Sequence, residues 1–119
     1  MIDANNLKVI NDSMGHHRGD ELLLQIAACL KRALGQKMSG YRLGGDEFAV
    51  RLKDVSQLET KAFAEALRRE IAAADSQNEL TISAAIGYAW TDCNPKDPEV
   101  LLHQADNAMY EIKKQMKKQ

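Results

Sequence analysis

Residues 41–52 have the sequence YRLGGDEFAVRL, and this stretch predicts a β-hairpin. Apolar side chains occupy alternate positions before and after a glycine pair: Tyr41 and Leu43, then Phe48, Val50 and Leu52. A period of two is typical of strands, and two such runs joined by a glycine step are typical of a hairpin. The pattern therefore places Asp46 and Glu47 at the exposed tip of the hairpin.

Three helices are predicted outside this hairpin. Residues 20–34 carry an apolar stripe at helical spacing, and Gly35 is a typical residue at a helix C-terminus. Ser56, with Glu59 three residues later, predicts a capping box at the start of the second helix. The third helix is predicted from about Pro98, after a turn-rich loop.

Residues 80–86 alternate between apolar and small or polar side chains, which predicts a further strand. The order helix, hairpin, helix, strand, helix predicts one α/β or α+β domain over residues 1–119. Hydrophobic residues make up 45% of the chain and charged residues 28%, which is an ordinary globular composition.

Charge and apolar patterning exclude several kinds of function. With 16 Lys and Arg against 17 Asp and Glu, the net charge is −1, so the chain has no basic footprint for nucleic acid. The longest apolar stretch, residues 22–30, is broken by Gln25, so we expect no membrane contact. Cys29 and Cys93 lack metal-ligand spacing, which predicts two free thiols in a reducing compartment.

Two polar clusters stand out: residues 3–20, which contain several Asp and Asn residues, and the hairpin tip. Adjacent carboxylates such as Asp46 and Glu47 repel each other unless a cation is bound. Glycines beside them allow a ligand close to the backbone, and carboxylates suit Mg²⁺ or Mn²⁺ shared with a phosphate. The tip is equally consistent with a solvated acidic turn, and Asp3 with a turn residue at the end of a strand.

Three separated motifs resemble one family. Residues 44–48, Gly-Gly-Asp-Glu-Phe, match the signature of the GGDEF family, residues 3–20 resemble the block that precedes it, and residues 105–113 resemble its closing helix. The motifs stand in the family's order and extend over nearly the whole chain. The chain is therefore identified as a member of the GGDEF family.

This resemblance implies an α+β fold with a central, mostly antiparallel sheet flanked by helices, similar to the palm of nucleotidyl cyclases. It implies a diguanylate cyclase, which condenses two GTP molecules into cyclic di-GMP and releases two pyrophosphates. Catalysis then requires a homodimer, because each domain holds one GTP. The alternative is an inactive module that binds GTP or a protein partner.

The resemblance also implies the site residues. The metal ligands are Asp3, Asp46 and the carbonyl of Ala4, and the catalytic residues are Asp46 and Glu47. The substrate-binding residues are Lys8, Asn11, Asp20, Gly44, Gly45, Lys113 and Lys117. A carboxylate at position 20 suits the paired N1–H and N2–H donors of guanine, which adenine lacks.

Members of the family carry a further stretch before the position of Asp3, including the first half of a central strand. We therefore expect an N-terminally truncated domain that self-associates and has low or no activity. The resemblance also implies an upstream sensor or regulatory domain in a longer protein. We expect a cytoplasmic location. A domain on the cytoplasmic side of a longer, membrane-bound protein also fits this expectation.

Overall fold

The computed structural model describes residues 1–92 and 97–117, which form four helices and a four-stranded sheet. In chain order the elements are β1 (Ile2–Ala4), α1 (Leu7–Met14), α2 (His16–Ala33), β2 (Met38–Gly44), β3 (Glu47–Leu52), α3 (Gln57–Gln77), β4 (Ala84–Ile86) and α4 (Pro98–Lys117). The strand order is β2-β3-β1-β4, and every neighbouring pair is antiparallel. This confirms the α+β fold with an antiparallel sheet flanked by helices.

Strands β2 and β3 form the predicted hairpin, with Tyr41 opposite Ala49 and Arg42 opposite Phe48. The register shifts between Arg42 and Gly44, so the pairing is irregular next to the tip. Gly44 has φ 157° and Gly45 has φ 36°, and the second value lies in the left-handed region that favours glycine. The Arg42 Nη2 atom donates a hydrogen bond of 2.9 Å to the Gly45 carbonyl, which ties the turn to β2.

Strand β1 lies in the interior of the sheet, between β3 and β4. Ile2 is opposite Phe48 on one side and Ile86 on the other, and all three side chains are buried in the hydrophobic core. Successive side chains of a strand point to opposite faces. Asp3 therefore points away from the core face to which Ile2 contributes.

Helices α2 and α3 cover the core face. The side chains of Leu22, Ile26, Cys29 and Leu67 are fully buried between them and the sheet. Helix α3 begins with the predicted capping box, because Ser56 Oγ accepts from the Glu59 N–H at 3.0 Å and the Ser56 N–H donates to Glu59 Oε1 at 3.2 Å. Such a cap stabilises a helix by about 1 kcal/mol.

Helix α4 crosses the sheet near the end of β4. A Cβ atom added at Gly87 would overlap the backbone nitrogen of Met109, so the helix and the strand end are in backbone contact. Since Gly87 lies two residues after Ala85, which pairs with Asp3, α4 packs on the face to which Asp3 points.

Three element predictions require correction. Helix α1 falls within the polar cluster of residues 3–20 and was not predicted as a helix. Helix α2 begins at His16 instead of residue 20, and its end at Ala33 leaves Leu34 in an extended conformation before Gly35. The last strand is limited to Ala84–Ile86 because the Ile82 N–H donates to Asp75 Oδ1 at 2.8 Å instead of entering the sheet.

Within residues 1–92 and 97–117, no helix combines the length and apolar composition needed to cross a bilayer. Cys29 is a buried free cysteine, as predicted. Cys93 and most of the turn-rich loop before Pro98 lie outside the described residues.

Candidate active site at the hairpin tip

Three carboxylates meet where β1 and β3 lie side by side. Asp3 is directly opposite Glu47 in the antiparallel register, and the Ala4 N–H donates to the Asp46 carbonyl at 2.8 Å. One oxygen atom from each of Asp3, Asp46 and Glu47 lies within 4.8 Å of the others. The chain therefore folds so that the strand after Met1 and the hairpin tip contribute to one acidic cluster.

Asp3 is the buried member of this cluster, with 8% of its surface exposed. Its Oδ2 atom accepts a hydrogen bond from Lys113 Nζ at 2.7 Å, an ion pair that joins β1 to α4. Its Oδ1 atom is buried and has no hydrogen-bond partner within residues 1–92 and 97–117. A buried charged oxygen without a partner is costly unless a ligand satisfies it.

Burial and mutual repulsion raise the pKa values of two carboxyl groups in the cluster. For Asp3, burial raises the pKa most, Lys113 lowers it by its hydrogen bond, and the charge of Asp46 raises it. For Glu47, burial raises the pKa most, followed by the charges of Asp3, Asp106 and Asp46. The protein thus holds the carboxyl groups of Asp3 and Glu47 in a place where their charged forms are disfavoured.

The residues present fit a divalent cation. The cluster offers only oxygen atoms, which Mg²⁺ and Mn²⁺ prefer, and it includes Asp3, whose Oδ1 atom has no partner among the described residues. Of the metal ligands expected from the sequence, Asp3 and Asp46 are brought together, and Ala4 is held beside Asp46 by its N–H. Glu47, expected as a catalytic residue only, belongs to the same group.

The glycines of the tip leave open space beside the cluster. A Cβ atom added at Gly44 or Gly45 would meet no atom within 4 Å. An open groove of about 890 Å³ also adjoins Glu47 and includes Asp97, Glu99 and Asp106 in its lining. This groove is strongly acidic, so a polyphosphate enters the region favourably only together with cations.

The proposed guanine readers lie on neighbouring helices. A Cβ atom at Gly19 would overlap Asn11 Oδ1, so the Asn11 side chain lies against α2 at Gly19. Asp20 and Lys8 are both exposed. The structure therefore brings Asn11, from α1, against Gly19, the residue that precedes Asp20 in α2.

The two lysines expected to bind phosphate differ in position. Lys113 is directed onto Asp3 and its side chain is only 22% exposed, whereas Lys117, one turn further along α4, is exposed. Two further residues were missed from the sequence: Arg42, which holds the tip, and Asp106, whose charge acts on Glu47. Asp106 lies within the closing motif, and Arg42 lies two residues before the signature. Their positions in or beside the motifs could therefore have marked both as candidate site residues.

Comparisons with known proteins agree with this architecture. The sequence profile described as "Diguanylate cyclase, GGDEF domain" matches residues 1–119. Diguanylate cyclase DgcN of Escherichia coli K12 is 40% identical over 118 residues, which cover 96% of this chain and 29% of DgcN. The chain spans 29% of the length of DgcN, and 19% and 32% of the lengths of the Bacillus subtilis proteins YtrP and YhcK.

Solved structures give the same result. The GGDEF domain of YfiN (TpbB) from Pseudomonas aeruginosa superposes with a TM-score of 0.85 at 36% identity, covering 96% of this chain and 69% of that one. The active GGEEF domain of a diguanylate cyclase from Vibrio cholerae has a TM-score of 0.77 at 27% identity, with coverages of 96% and 74%. With its signature at the hairpin tip and its sheet in this order, the chain belongs to the GGDEF domain family.

Proposed function

We propose that this chain is the catalytic domain of a diguanylate cyclase. The observation that carries the proposal is that Asp3, whose buried Oδ1 atom has no partner among the described residues, lies in one cluster with Asp46 and Glu47. An acidic cluster that costs folding energy is explained by a ligand that needs it. The similarity to DgcN and to the active Vibrio cholerae domain supports cyclase chemistry.

The proposed reaction joins two GTP molecules in two equivalent steps. The 3′-hydroxyl oxygen of one GTP attacks the α-phosphorus of the other, and the bond from that phosphorus to the oxygen bridging the β-phosphate breaks. Pyrophosphate leaves, and the hydroxyl proton is transferred to a base. Repetition with the roles exchanged closes the ring of cyclic di-GMP.

Asp3 and Asp46, with the carbonyl of Ala4, are the proposed ligands of Mg²⁺ or Mn²⁺. When bound, such an ion neutralises phosphate charge and stabilises the charge that develops at the α-phosphate. Without a cation, three carboxylates and an anionic nucleotide would repel each other.

Asp46 and Glu47 are the proposed acceptors of the hydroxyl proton. Burial and the neighbouring acidic groups raise the pKa of Glu47, and a higher pKa makes a carboxylate a stronger base. The open glycine tip leaves room for a hydroxyl group to approach both carboxylates. The same two glycines let the phosphate chain lie close to the backbone.

The remaining candidates bind the two ends of the nucleotide. Asn11 and Asp20 are proposed to read the guanine edge, and the position of Asn11 against Gly19, the residue before Asp20, supports this. Lys8, Lys113 and Lys117 are proposed to neutralise phosphate charge. These assignments favour GTP over ATP, because adenine would leave Asp20 without a donor pair.

Residues 1–92 and 97–117 of one chain provide one such cluster, whereas the reaction needs two nucleotides held face to face. A homodimer with the clusters opposed is therefore part of the proposal. We also propose that an upstream sensor or regulatory domain controls this pairing in a longer protein, and that the domain acts in the cytoplasm. The chain matches 19% and 29% of the lengths of two curated relatives, and this supports the proposal of a longer protein.

Mass spectrometry of the products formed from GTP and Mg²⁺ tests the proposal. We expect a low but measurable yield of cyclic di-GMP from the concentrated wild type, none from Asp46→Ala, and the wild-type yield from Glu65→Ala, which removes an exposed carboxylate on α3. GTP binding without product in the concentrated wild type would overturn the cyclase assignment and support the inactive nucleotide-binding module instead.

A further inference from the structure

The Lys113 ammonium group is paired with Asp3, one of the proposed metal ligands. Its Nζ atom lies 2.7 Å from Asp3 Oδ2, and the two side chains are 22% and 11% exposed. On the same helix, Lys114 makes a 3.4 Å pair with Glu111, and these side chains are 51% and 67% exposed. Lys113 is therefore drawn into the site while its neighbour stays at the surface.

Charge explains this placement. The ammonium group is bonded to Asp3, and its charge also acts on Glu47. A divalent ion that bound Asp3 would lie within a few ångströms of Nζ. Two cations at that distance in a partly buried site repel strongly, because water screens them poorly there.

We propose that Lys113 is a built-in counter-ion that a divalent cation displaces from Asp3. The released ammonium group is then free to turn outward and pair with a phosphate of the nucleotide. The inference deepens the proposed function and rests on it in two respects: the acidic cluster is a cation site, and a nucleotide phosphate binds beside it.

One consequence is coupling between the ligands. A cation releases Lys113, and a nucleotide phosphate captures it, so each ligand favours the binding of the other. The cation-free chain keeps its buried Asp3 paired and is protected against the full repulsion of the cluster. The same lysine thereby stabilises the resting site and contributes to phosphate binding.

The first test measures the binding of Mn²⁺ alone, without nucleotide. The electron paramagnetic resonance signal of the free ion reports how much Mn²⁺ is bound. Lys113→Met removes the charge and keeps much of the side-chain length, while Lys114→Met removes an equal charge from the exposed face of α4. We expect Lys113→Met to bind Mn²⁺ about tenfold more tightly than the wild type, because a charge-assisted bond need not be broken. Lys114→Met changes the affinity less than about twofold, because its charge is screened.

The second test is chemical labelling of lysine side chains in the wild-type chain. It needs no variant, so its result does not depend on how a variant folds. Reductive methylation, resolved by peptide mass spectrometry, should modify Lys113 more slowly than Lys114 in a chelator. Addition of Mg²⁺ without nucleotide should accelerate modification of Lys113 alone. An unchanged Lys113 rate at saturating Mg²⁺ would overturn the displacement, whatever the affinities are.

The failures of the two proposals are distinguishable. Equal Mn²⁺ affinities for the wild type and both variants, with cyclic di-GMP still formed, would overturn the counter-ion role alone. The expected affinities and labelling, without any cyclic di-GMP, would overturn the cyclase assignment alone. Absence of Mn²⁺ binding in every variant would overturn the counter-ion role, and the product analysis would still decide the cyclase assignment.

Discussion

Asp3 lies directly opposite Glu47 across β1 and β3, so their side chains share one face of the sheet. The next pair in the register, Ile2 and Phe48, is buried in the core on the other face. Like charges placed directly opposite each other destabilise a sheet, whereas the apolar pair stabilises it. Strand β1 thus has one face that stabilises the fold and one acidic face that destabilises it. The folding energy lost on the acidic face is explained by a role in function.

The first prediction is that Asp46→Asn stabilises the cation-free chain. The substitution removes repulsion with Asp3 and Glu47 and leaves the Lys113 ion pair intact. We expect a gain of about 0.5–1 kcal/mol, or about 2–5 °C in melting temperature, in a chelator. Glu65→Gln, at an exposed site on α3, should leave the melting temperature within about 1 °C of the wild type. A lower melting temperature for Asp46→Asn would contradict the repulsion.

The second prediction concerns pH and the raised pKa of Glu47. A carboxyl group whose pKa is raised by folding keeps its proton to higher pH than in the unfolded chain. Between the ordinary carboxyl pKa, about 4, and the raised value, the folded chain binds more protons, so its stability falls as pH rises. Below this window both states are protonated and the penalty is absent; above it the penalty is complete.

Melting curves of the wild type and Glu47→Gln, recorded in chelator from about pH 4 to 7, measure this penalty as a difference. We expect the wild type to lose stability relative to the variant as pH rises, because glutamine does not titrate. A constant difference over the whole range would show that burial of Glu47 carries no ionisation penalty.

Much of the fold could be predicted because its signals are local. The hairpin follows from alternation around Gly44 and Gly45, and the start of α3 from Ser56 and Glu59, which make the expected capping bonds. Helix α1 lacks such a signal, since Asn6 stands at its start with φ 68° and no side-chain cap. The helix has only eight residues, so it contains too few turns for a helical period to stand out within the polar cluster.

The site likewise has a part that the sequence predicts and a part that it does not. The signature and the resemblance point to Asp46, Glu47 and Asp3. The ion pair of Asp3 with Lys113 joins positions 110 residues apart, and no local pattern predicts which lysine of α4 turns inward. That choice depends on the packing of α4 against β4, which is set by the close approach at Gly87.

The third prediction is that Gly19→Ala weakens GTP binding by displacing Asn11. The new methyl group would overlap Asn11 Oδ1, a side-chain atom that can rotate away. We expect a stability loss of about 1–2 kcal/mol and a GTP dissociation constant that rises about tenfold in calorimetric titrations with Mg²⁺.

A double-mutant cycle isolates this contact. In an Asn11→Ala background the overlapping oxygen is absent, so Gly19→Ala should cost less stability and change the GTP affinity little further. Additive effects of the two substitutions would contradict the contact between Asn11 and position 19.

The fourth prediction is that Gly87→Ala is severely destabilising. A methyl group there meets the backbone of Met109, which cannot move without shifting the whole of α4. We expect a loss of about 2–4 kcal/mol in denaturant titrations, more than for Gly19→Ala, where only a side chain must move. Gly35→Ala is the matched control, because a Cβ there makes only ordinary contacts of 3.8 Å with Met38.

The same substitution also tests the role of α4 in the site. If α4 shifts away from β4, Lys113 moves away from Asp3, and reductive methylation of Lys113 in chelator should become as fast as that of Lys114. A chain that folds with Gly87→Ala at wild-type stability, and with Lys113 still protected, would show that the approach of α4 to the sheet does not position this lysine.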